Sequence, residues 1–533
     1  MNIAIGVFGG LGLFLYGMNL MGTGLQKAAG ERLKKLIEVL TNNRLMGVLV
    51  GAGVTMIIQS SSATTVMVIG FVNAGIMTLN QAVGVIMGAN IGTTVTAQLI
   101  AFKLTDVAPL AVAIGVAIWL FASKKRAKDL AEIMIGFGIL FIGMDIMGNS
   151  LAPLADNPKF ASIMSSLNDP FLGVLVGLGL TTVLQSSSAS IGLLQALAGQ
   201  GLININMAFP ILFGDNIGTT TTALISSIGT NKTAKRAAII HFLFNLIGTI
   251  VFMTVLRIPV QAIVTKLNPG NIQRQIANAH TIFNLINVVI QFPFANLLVK
   301  IANKLVPGEI EEETTGLKFL DSRIIETPSI AVGQLSKEVY RMAKIVENNV
   351  RLAIKGFIEG NEKAIKEVFN QEKVINRLER DITEYLVELS NAPLTDEQHG
   401  LVNTFFNAIN DIERVGDHAD NIAELAQYRI DNNIIFTDNA LEELQVMFDK
   451  VEKVYISSID SFRDNSIDKA KEVLVLEEEI DEMEKQYRAN HIDRLNKLLC
   501  QPSSGVVFLD VISNLERISD HSSNIASYTI DRN

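Results

Sequence analysis

The sequence predicts an all-α protein: a polytopic membrane domain of two inverted repeats with re-entrant helical hairpins, followed by a soluble domain of two three-helix bundles. Three observations carry this expectation. Long runs of apolar residues without charge fill positions 1–306, whereas from Glu309 onward charged residues alternate with apolar ones at helical spacing. Three blocks of the first half recur further along the chain in one register. A block of the second half recurs as well. Because a membrane crossing takes ~20 mostly apolar residues to span ~30 Å of hydrocarbon, the first half can cross repeatedly and the second cannot. The expected division is a membrane domain over 1–306, a charged linker over 307–328 and a helical domain over 329–533.

Composition excludes several function classes. A net charge of −9 lacks the basic surface that nucleic-acid binding requires. A single cysteine, Cys500, leaves no disulfide framework and no cysteine-rich zinc site. Ile3–Leu25 resembles a signal peptide in apolarity, but it has no basic leader and its copy recurs later, so it reads as a retained helix.

The repeat gives the membrane domain its elements. Gly10–Leu25 matches Gly136–Leu151, Gly47–Ala63 matches Gly173–Ala189, and Gly88–Ala97 matches Gly214–Ala223, each pair 126 residues apart. Repetition in one register is not a property of low-complexity apolar sequence. The units run over about 3–123 and 131–257. Each opens with an apolar helix (3–25 or 131–151) and continues into an amphipathic segment (26–43 or 152–168). About thirty residues with Gln-Ser-Ser-Ser near their middle follow (46–75 or 172–201). Two arms of about 14 residues are each ~20 Å long at ~1.5 Å per residue, too short to cross. Such a polar-tipped pair of arms reads as a re-entrant hairpin, tolerated at membrane depth only inside protein or beside a cavity. A longer helix (78–103 or 204–229), broken by Asn-Ile-Gly-Thr-Thr, and a further crossing (107–123 or 235–257) complete each unit. An extra helix, 277–302, leads out of the membrane.

Three crossings per unit plus the last make seven, which places the N-terminus outside when the C-terminal domain is cytoplasmic. The loops then inside carry Lys27, Arg32, Lys34, Lys35, Arg44, Lys124, Lys125, Arg126, Lys128, Lys232, Lys235 and Arg236, while outside 152–168 carries only Lys159. That is the positive-inside bias. Segment 257–276, placed outside, runs against it with Arg257, Lys266 and Arg274.

Inverted units set two interrupted elements against each other near the midplane, where transporters hold solute and coupling ion. The second arm of each hairpin begins at the tip, so its free N–H groups and positive dipole end favour an anion. The first arm ends at Gln59 or Gln185 with unpaired carbonyls suited to a hard cation. The candidate residues are Gln59, Ser60, Ser61 and Ser62, with Gln185, Ser186, Ser187 and Ser188. Asn90, Thr93, Thr94, Asn216, Thr219 and Thr220 are expected to face them with neutral oxygens. A carboxylate at membrane depth is expensive and points to function. Asp215 replaces Ala89 of the first copy and so enters as a sodium or proton ligand. Asp145, which replaces Asn19, reads as a water-facing helix end or a second such ligand. His241 with Asn245, and His280 with Asn284, read as buried hydrogen bonds between packed helices. The residues leave phosphate, sulfate and other oxyanions open.

The paired Gln-Ser-Ser-Ser motifs at 59–62 and 185–188, the Asn-Ile-Gly-Thr-Thr-Thr-Thr-Ala core within Gly214–Ala223, and His241-Phe-Leu-Phe-Asn245 resemble the type II sodium–phosphate cotransporter family in its bacterial branch. The resemblance covers roughly 1–305. It implies sodium-coupled symport of inorganic phosphate across the cytoplasmic (inner) membrane, with the Gln-Ser-Ser-Ser residues forming the site and sodium as the coupling ion. Asp215 stands where the family has a small neutral residue.

The second half repeats too: Glu413-Arg-Val-Gly-Asp417-His418 recurs as Glu516-Arg-Ile-Ser-Asp520-His521. Two three-helix bundles are expected, at about 329–430 and 437–531. Glu and Asp four apart share a helical face, so Glu413 with Asp417, Glu516 with Asp520, and Glu477 with Asp481 read as carboxylate ligands for iron, manganese or magnesium. The position matching Asp481 holds Asn376. This region resembles the PhoU family, which implies a domain that regulates transport. Expected partners are phosphate, sodium, membrane lipid and either a second copy of the chain or phosphate-signalling proteins. No nucleophile–base pair or phosphate-cradling glycine loop marks an enzyme. The rival reading is a membrane phosphate receptor that signals through the soluble domain.

Overall fold

The computed structural model describes residues 2–29, 43–102, 104–155, 157–308 and 316–532. Among them nearly everything is helix and no residue is in a strand. The chain divides into two compact units, Met1–Glu311 and Glu312–Asn533.

In the first unit α1 (Asn2–Ala29) is followed by α2 (Arg44–Ile58), α3 (Ser61–Asn73), α4 (Leu79–Ile100), α5 (Ala108–Phe121) and α6 (Lys125–Leu151). Next come α7 (Pro158–Ser166), α8 (Pro170–Leu184), α9 (Ser187–Gly199), α10 (Ile205–Gly218), α11 (Thr220–Ser226) and α12 (Lys232–Val251). A five-residue π turn joins α12 to α13 (Arg257–Leu267), and α14 (Ile272–Gln291) and α15 (Ala295–Leu305) close the unit. The arms α2 and α3 begin and end at the positions of α8 and α9, shifted by the sequence repeat. Of the amphipathic segment expected at 26–43, residues 30–42 lie outside the described residues.

Small residues set the packing. α1 and α6 run antiparallel with their backbones in contact: a Cβ on Gly17 would lie 2.6 Å from the Gly136 carbonyl oxygen, and one on Gly143 would lie 2.6 Å from that of Gly10. The same two glycines of each helix thus receive those of the other, which lets helices approach closely where no hydrophobic drive separates protein from lipid. Gly51 and Gly88 on α2 and α4 leave no room for a side chain, and neither do their counterparts Gly177 and Gly214 on α8 and α10.

Two expectations are corrected. Seven crossings were expected; five helices among the described residues are long and apolar enough, or six if the bent pair α7–α8 counts as one. α5 has 14 residues, and α10 and α11 are separate pieces of 14 and 7. The Asn-Ile-Gly-Thr-Thr stretch, expected to break both long helices, leaves α4 continuous. Thr93 donates to the Ala89 carbonyl and Thr94 to that of Ile91, so each hydroxyl bonds the preceding turn and the helix runs on. In the second copy only Thr219 interrupts the helix, and it still donates its N–H to the Asp215 carbonyl.

The second unit holds α16 (Pro328–Glu359), α17 (Glu362–Ser390), α18 (Asp396–Asp431), α19 (Asp438–Asp464), α20 (Ile467–Asn496) and α21 (Pro502–Asp531). They form two three-helix bundles with apolar stripes turned inward: Val346, Ile375 and Ile412 in the first, Val451, Ile480 and Leu515 in the second. Residues 316–327, read as linker, pack on this unit instead. Leu320 and Ile324 are buried, and the N–H groups of Lys318 and Phe319 donate to the buried Glu338 carboxylate, which Arg341 also holds. Two apolar anchors and a buried acceptor outweigh the charged character of the stretch.

Candidate functional site

Each pair of short arms is joined at one residue in the left-handed region: Gln59 at φ 60° and Gln185 at φ 54°. That conformation costs a residue with a Cβ ~1–2 kcal/mol, and glycine usually fills it. Here both ends of the side chain are tied. Gln59 Nε2 donates to the Met56 carbonyl while Oε1 accepts from Thr96. Gln185 repeats both bonds, to the Thr182 carbonyl and from Thr222. An amide, donor at one end and acceptor at the other, is what two such partners require.

The serines then divide their work. Ser60 and Ser186 stand in extended backbone, and their hydroxyls accept from the N–H groups of Ala63 and Ala189. They are N-caps. Ser61, Ser187 and Ser188 are buried in the first turn, where the leading N–H groups have no partner within the helix. The second of each pair of arms packs on the opposite copy, α3 against α11 and α12 and α9 against α4, and α9 also packs on α14, which lies beyond both copies. Gln195 on α9 donates to the Ala97 carbonyl on α4, and Gln273 donates in turn to the Gln195 carbonyl.

The six residues expected to face the tips are all buried, yet they bond their own helices. Asn90 donates to the Ile86 carbonyl, Asn216 to Leu212, Thr219 to Asn216 and Thr220 to Ile217. The hydroxyls that meet the tips are Thr96 and Thr222, which the sequence reading missed. Both occupy the same place in the repeated block, and that register was the available signal.

Asp215 is the place where the copies part. It is 1% exposed and accepts from Thr181 on α8, with the Ser190 hydroxyl of α9 facing the same carboxylate. Its Oδ2 is buried without a hydrogen-bond partner. In the first copy Ala89 occupies this position, and Thr55 donates directly to Thr64 at 3.0 Å. Asp145 is exposed and takes a hydrogen bond from Asn149. His241 and His280 are buried, as are Asn245 and Asn284, whose amides donate to the histidine carbonyls one turn back.

In the second unit Glu477, Asp481 and Asp520 place one carboxylate oxygen each within 4.8 Å of one another. Burial first, then Asp481 and Asp520, push the Glu477 carboxyl above its ordinary range, and burial with Asp481 does the same for Asp520. Glu516 lies near enough to feel Asp520 and Asp481 but is not one of the three. Among the described residues Glu413 and Asp417 complete no such triad; Asp417 pairs with Arg414 at 3.1 Å. The physical reason is the neutral Asn376 where the second bundle has Asp481. Glu372 remains there, its carboxyl pushed up to about 7 by burial and then by Asp417, Asp420 and Glu413. Between the bundles the rings of His418 and His521 stack with centroids 5.6 Å apart. His418 Nδ1 meets Asn514 and His521 Nδ1 meets Asp411.

Comparison with known proteins gives these sites a context. A family model described as Na+/Pi-cotransporter matches residues 13–149 and 143–267, and one described as PhoU domain matches 339–426 and 444–529. The chain is 23% identical over 518 residues to "Putative inorganic phosphate export protein YjbB" of Salmonella typhimurium, covering 95% of this chain and 94% of that protein. It is 30% identical over 297 residues to "Uncharacterized protein YqeW" of Bacillus subtilis, covering 56% of this chain and 96% of the relative. It is 45% identical over 96 residues, 17% of this chain and 16% of the other, to "Sodium-dependent phosphate transport protein 2C" of Rattus norvegicus.

Proposed function

From a chain that belongs to the Na+/Pi-cotransporter family and carries PhoU domains behind its membrane half, we propose sodium-coupled symport of inorganic phosphate across the cytoplasmic membrane, regulated by the PhoU-like unit on the cytoplasmic side. The observation that carries this reading is the pair of capped, left-handed hairpin tips. Each sets the free N–H end of one short helix against the free carbonyl end of another. The amide ends and the hydroxyls of Ser61, Ser62, Ser187 and Ser188 receive phosphate, and carbonyls beside Gln59 and Gln185 receive sodium. Asn90, Thr93, Thr94, Asn216, Thr219 and Thr220 line the approach, because a helix whose threonines bond backward keeps its oxygen faces together.

The antiparallel glycine contact of α1 with α6 supports the inverted arrangement of the copies, and the short paired arms support re-entrant hairpins. Sodium at the tips supplies the positive potential that phosphate needs, and by linkage each ligand raises the affinity for the other equally. In the soluble unit the Glu477–Asp481–Asp520 triad fits a hard divalent cation such as iron, manganese or magnesium, since three crowded carboxylates offer only oxygen and gain from a positive charge among them. Glu516 closes that seat from the next turn.

The test is uptake of labelled phosphate into proteoliposomes bearing the intact chain, with and without an inward sodium gradient. Sodium-driven uptake that disappears on Ser61→Ala with Ser187→Ala supports the reading. Uptake indifferent to sodium removes it. The whole-length likeness to proteins named for phosphate export favours a second reading, net outward flux; vesicles preloaded with phosphate and diluted into sodium-free medium separate the two.

A further inference from the structure

The second copy contains a buried carboxylate that the arrangement at the tips does not use. Asp215 sits on α10, whose Phe209, Leu212 and Phe213 are fully buried. Thr181 and Ser190, each 1% exposed, bring hydroxyls to it from α8 and α9. Three oxygen-bearing side chains on three helices therefore converge, and Oδ2 has no hydrogen-bond partner. An ionised carboxylate left so in an apolar interior is strongly unfavourable and calls for a compensating charge.

The first copy shows the same scaffold without that demand. Thr55 and Thr64 correspond to Thr181 and Ser190 and bond one another, with Ala89 in place of the carboxylate. The difference is one charge inserted between two hydroxyls, so nothing in the scaffold's packing requires it.

We infer that Asp215, Thr181 and Ser190 form a sodium seat that only the second copy possesses, separate from the carbonyl ends at the tips. The chemistry selects the ion. One carboxylate and two hydroxyls offer hard oxygen ligands with a single negative charge, which a monovalent cation neutralises and a divalent one overshoots. Donors from three helices suit an ion that takes several ligands at once. A proton would satisfy one carboxylate oxygen and needs no converging set. The inference rests on the sodium-coupled reading for its role: the seat adds one sodium to each transport cycle and ties the positions of α8, α9 and α10 to its occupancy.

Equilibrium binding of radioactive sodium to the purified intact chain, in potassium-balanced buffer, tests this without relying on transport. Asp215→Asn is expected to bind one sodium fewer per chain than the natural protein. Thr181→Val, which keeps the charge, is expected to retain the count at severalfold weaker affinity. If Asp215→Asn yields no folded protein, Thr181→Val still decides. Unchanged count and affinity in the variants overturn the seat. An unchanged sodium count accompanied by one proton fewer, read with a pH indicator, overturns it in favour of a proton site. A lost sodium in a protein that moves no phosphate leaves the seat standing and removes the transport reading.

Discussion

The two copies of the membrane repeat share a scaffold and differ in charge. Tips, caps and glycine contacts recur position for position: Gln59 and Gln185 are left-handed, Ser60 and Ser186 cap, Gly51 and Gly177 admit no side chain. Yet the first copy has Ala89 where the second has Asp215. The soluble unit repeats the pattern, with Asn376 against Asp481 and Asn514 against Asp411. Duplication preserved what backbone geometry requires and let the carboxylates diverge. Identical scaffolds can therefore carry different charges, and positions of this kind are found by comparing the copies.

The largest effect should come from making the copies alike. Ala89→Asp puts a carboxylate between Thr55 and Thr64, and an uncompensated buried charge costs roughly 3–5 kcal/mol. The expected outcome is loss of monodisperse protein on size-exclusion chromatography. Recovery of stable protein with one more bound sodium would show the copies to be interchangeable and end the distinction.

The bundles can be contrasted by pH. Glu372 is 8% exposed and its carboxyl is pushed from an ordinary 4.5 up to about 7, by burial first and neighbouring carboxylates second. The folded domain favours the protonated form. Its contribution is therefore full below pH 4.5 and is lost as pH rises through about 7. At ~1.4 kcal/mol for each pH unit, the loss amounts to about 3 kcal/mol. In metal-free protein, exchange protection of α17 and α18, corrected for intrinsic rates, should fall between pH 5 and 8 by roughly that measure. Glu372→Gln should flatten the profile; an unaltered profile would assign the pH dependence elsewhere.

The shared scaffold should answer equally in both copies. Gly51→Ala and Gly177→Ala each drive a methyl group into the facing backbone, at about 1–3 kcal/mol, and thermal unfolding in detergent should show matching losses. A large disparity would mean that one hairpin carries the fold and the other rides on it. Smaller again, Ser60→Ala and Ser186→Ala each remove an N-cap worth ~1 kcal/mol. Equal small shifts are expected, with phosphate affinity changed less than by Ser61→Ala.

Much of this was legible beforehand because it rests on local rules. Short arms around Gln-Ser-Ser-Ser follow from length and polarity, and the six helices of the soluble unit follow from periodicity and turn residues. The error at the first Asn-Ile-Gly-Thr-Thr stretch, within α4, has a plain cause: asparagine, glycine and threonine weaken a helix in isolation, but threonine hydroxyls can bond the previous turn. The error at 316–327 is of the same kind, since composition marks the stretch as polar while two buried side chains hold it.

By itself the sequence determined most of the helices, the short arms that meet at Gln59 and Gln185, and the residues that differ between copies, because length, capping and periodicity act within a few residues of chain. Tertiary structure decided what those residues meet. Thr96 and Thr222 reach the tips across tens of residues, Thr181 and Ser190 close on Asp215 from neighbouring helices, and Glu477 and Asp481 gather Asp520 while Asn376 leaves Glu372 without its counterpart. No rule of spacing specifies such meetings. They follow from which helices pack together and how closely their glycines allow it.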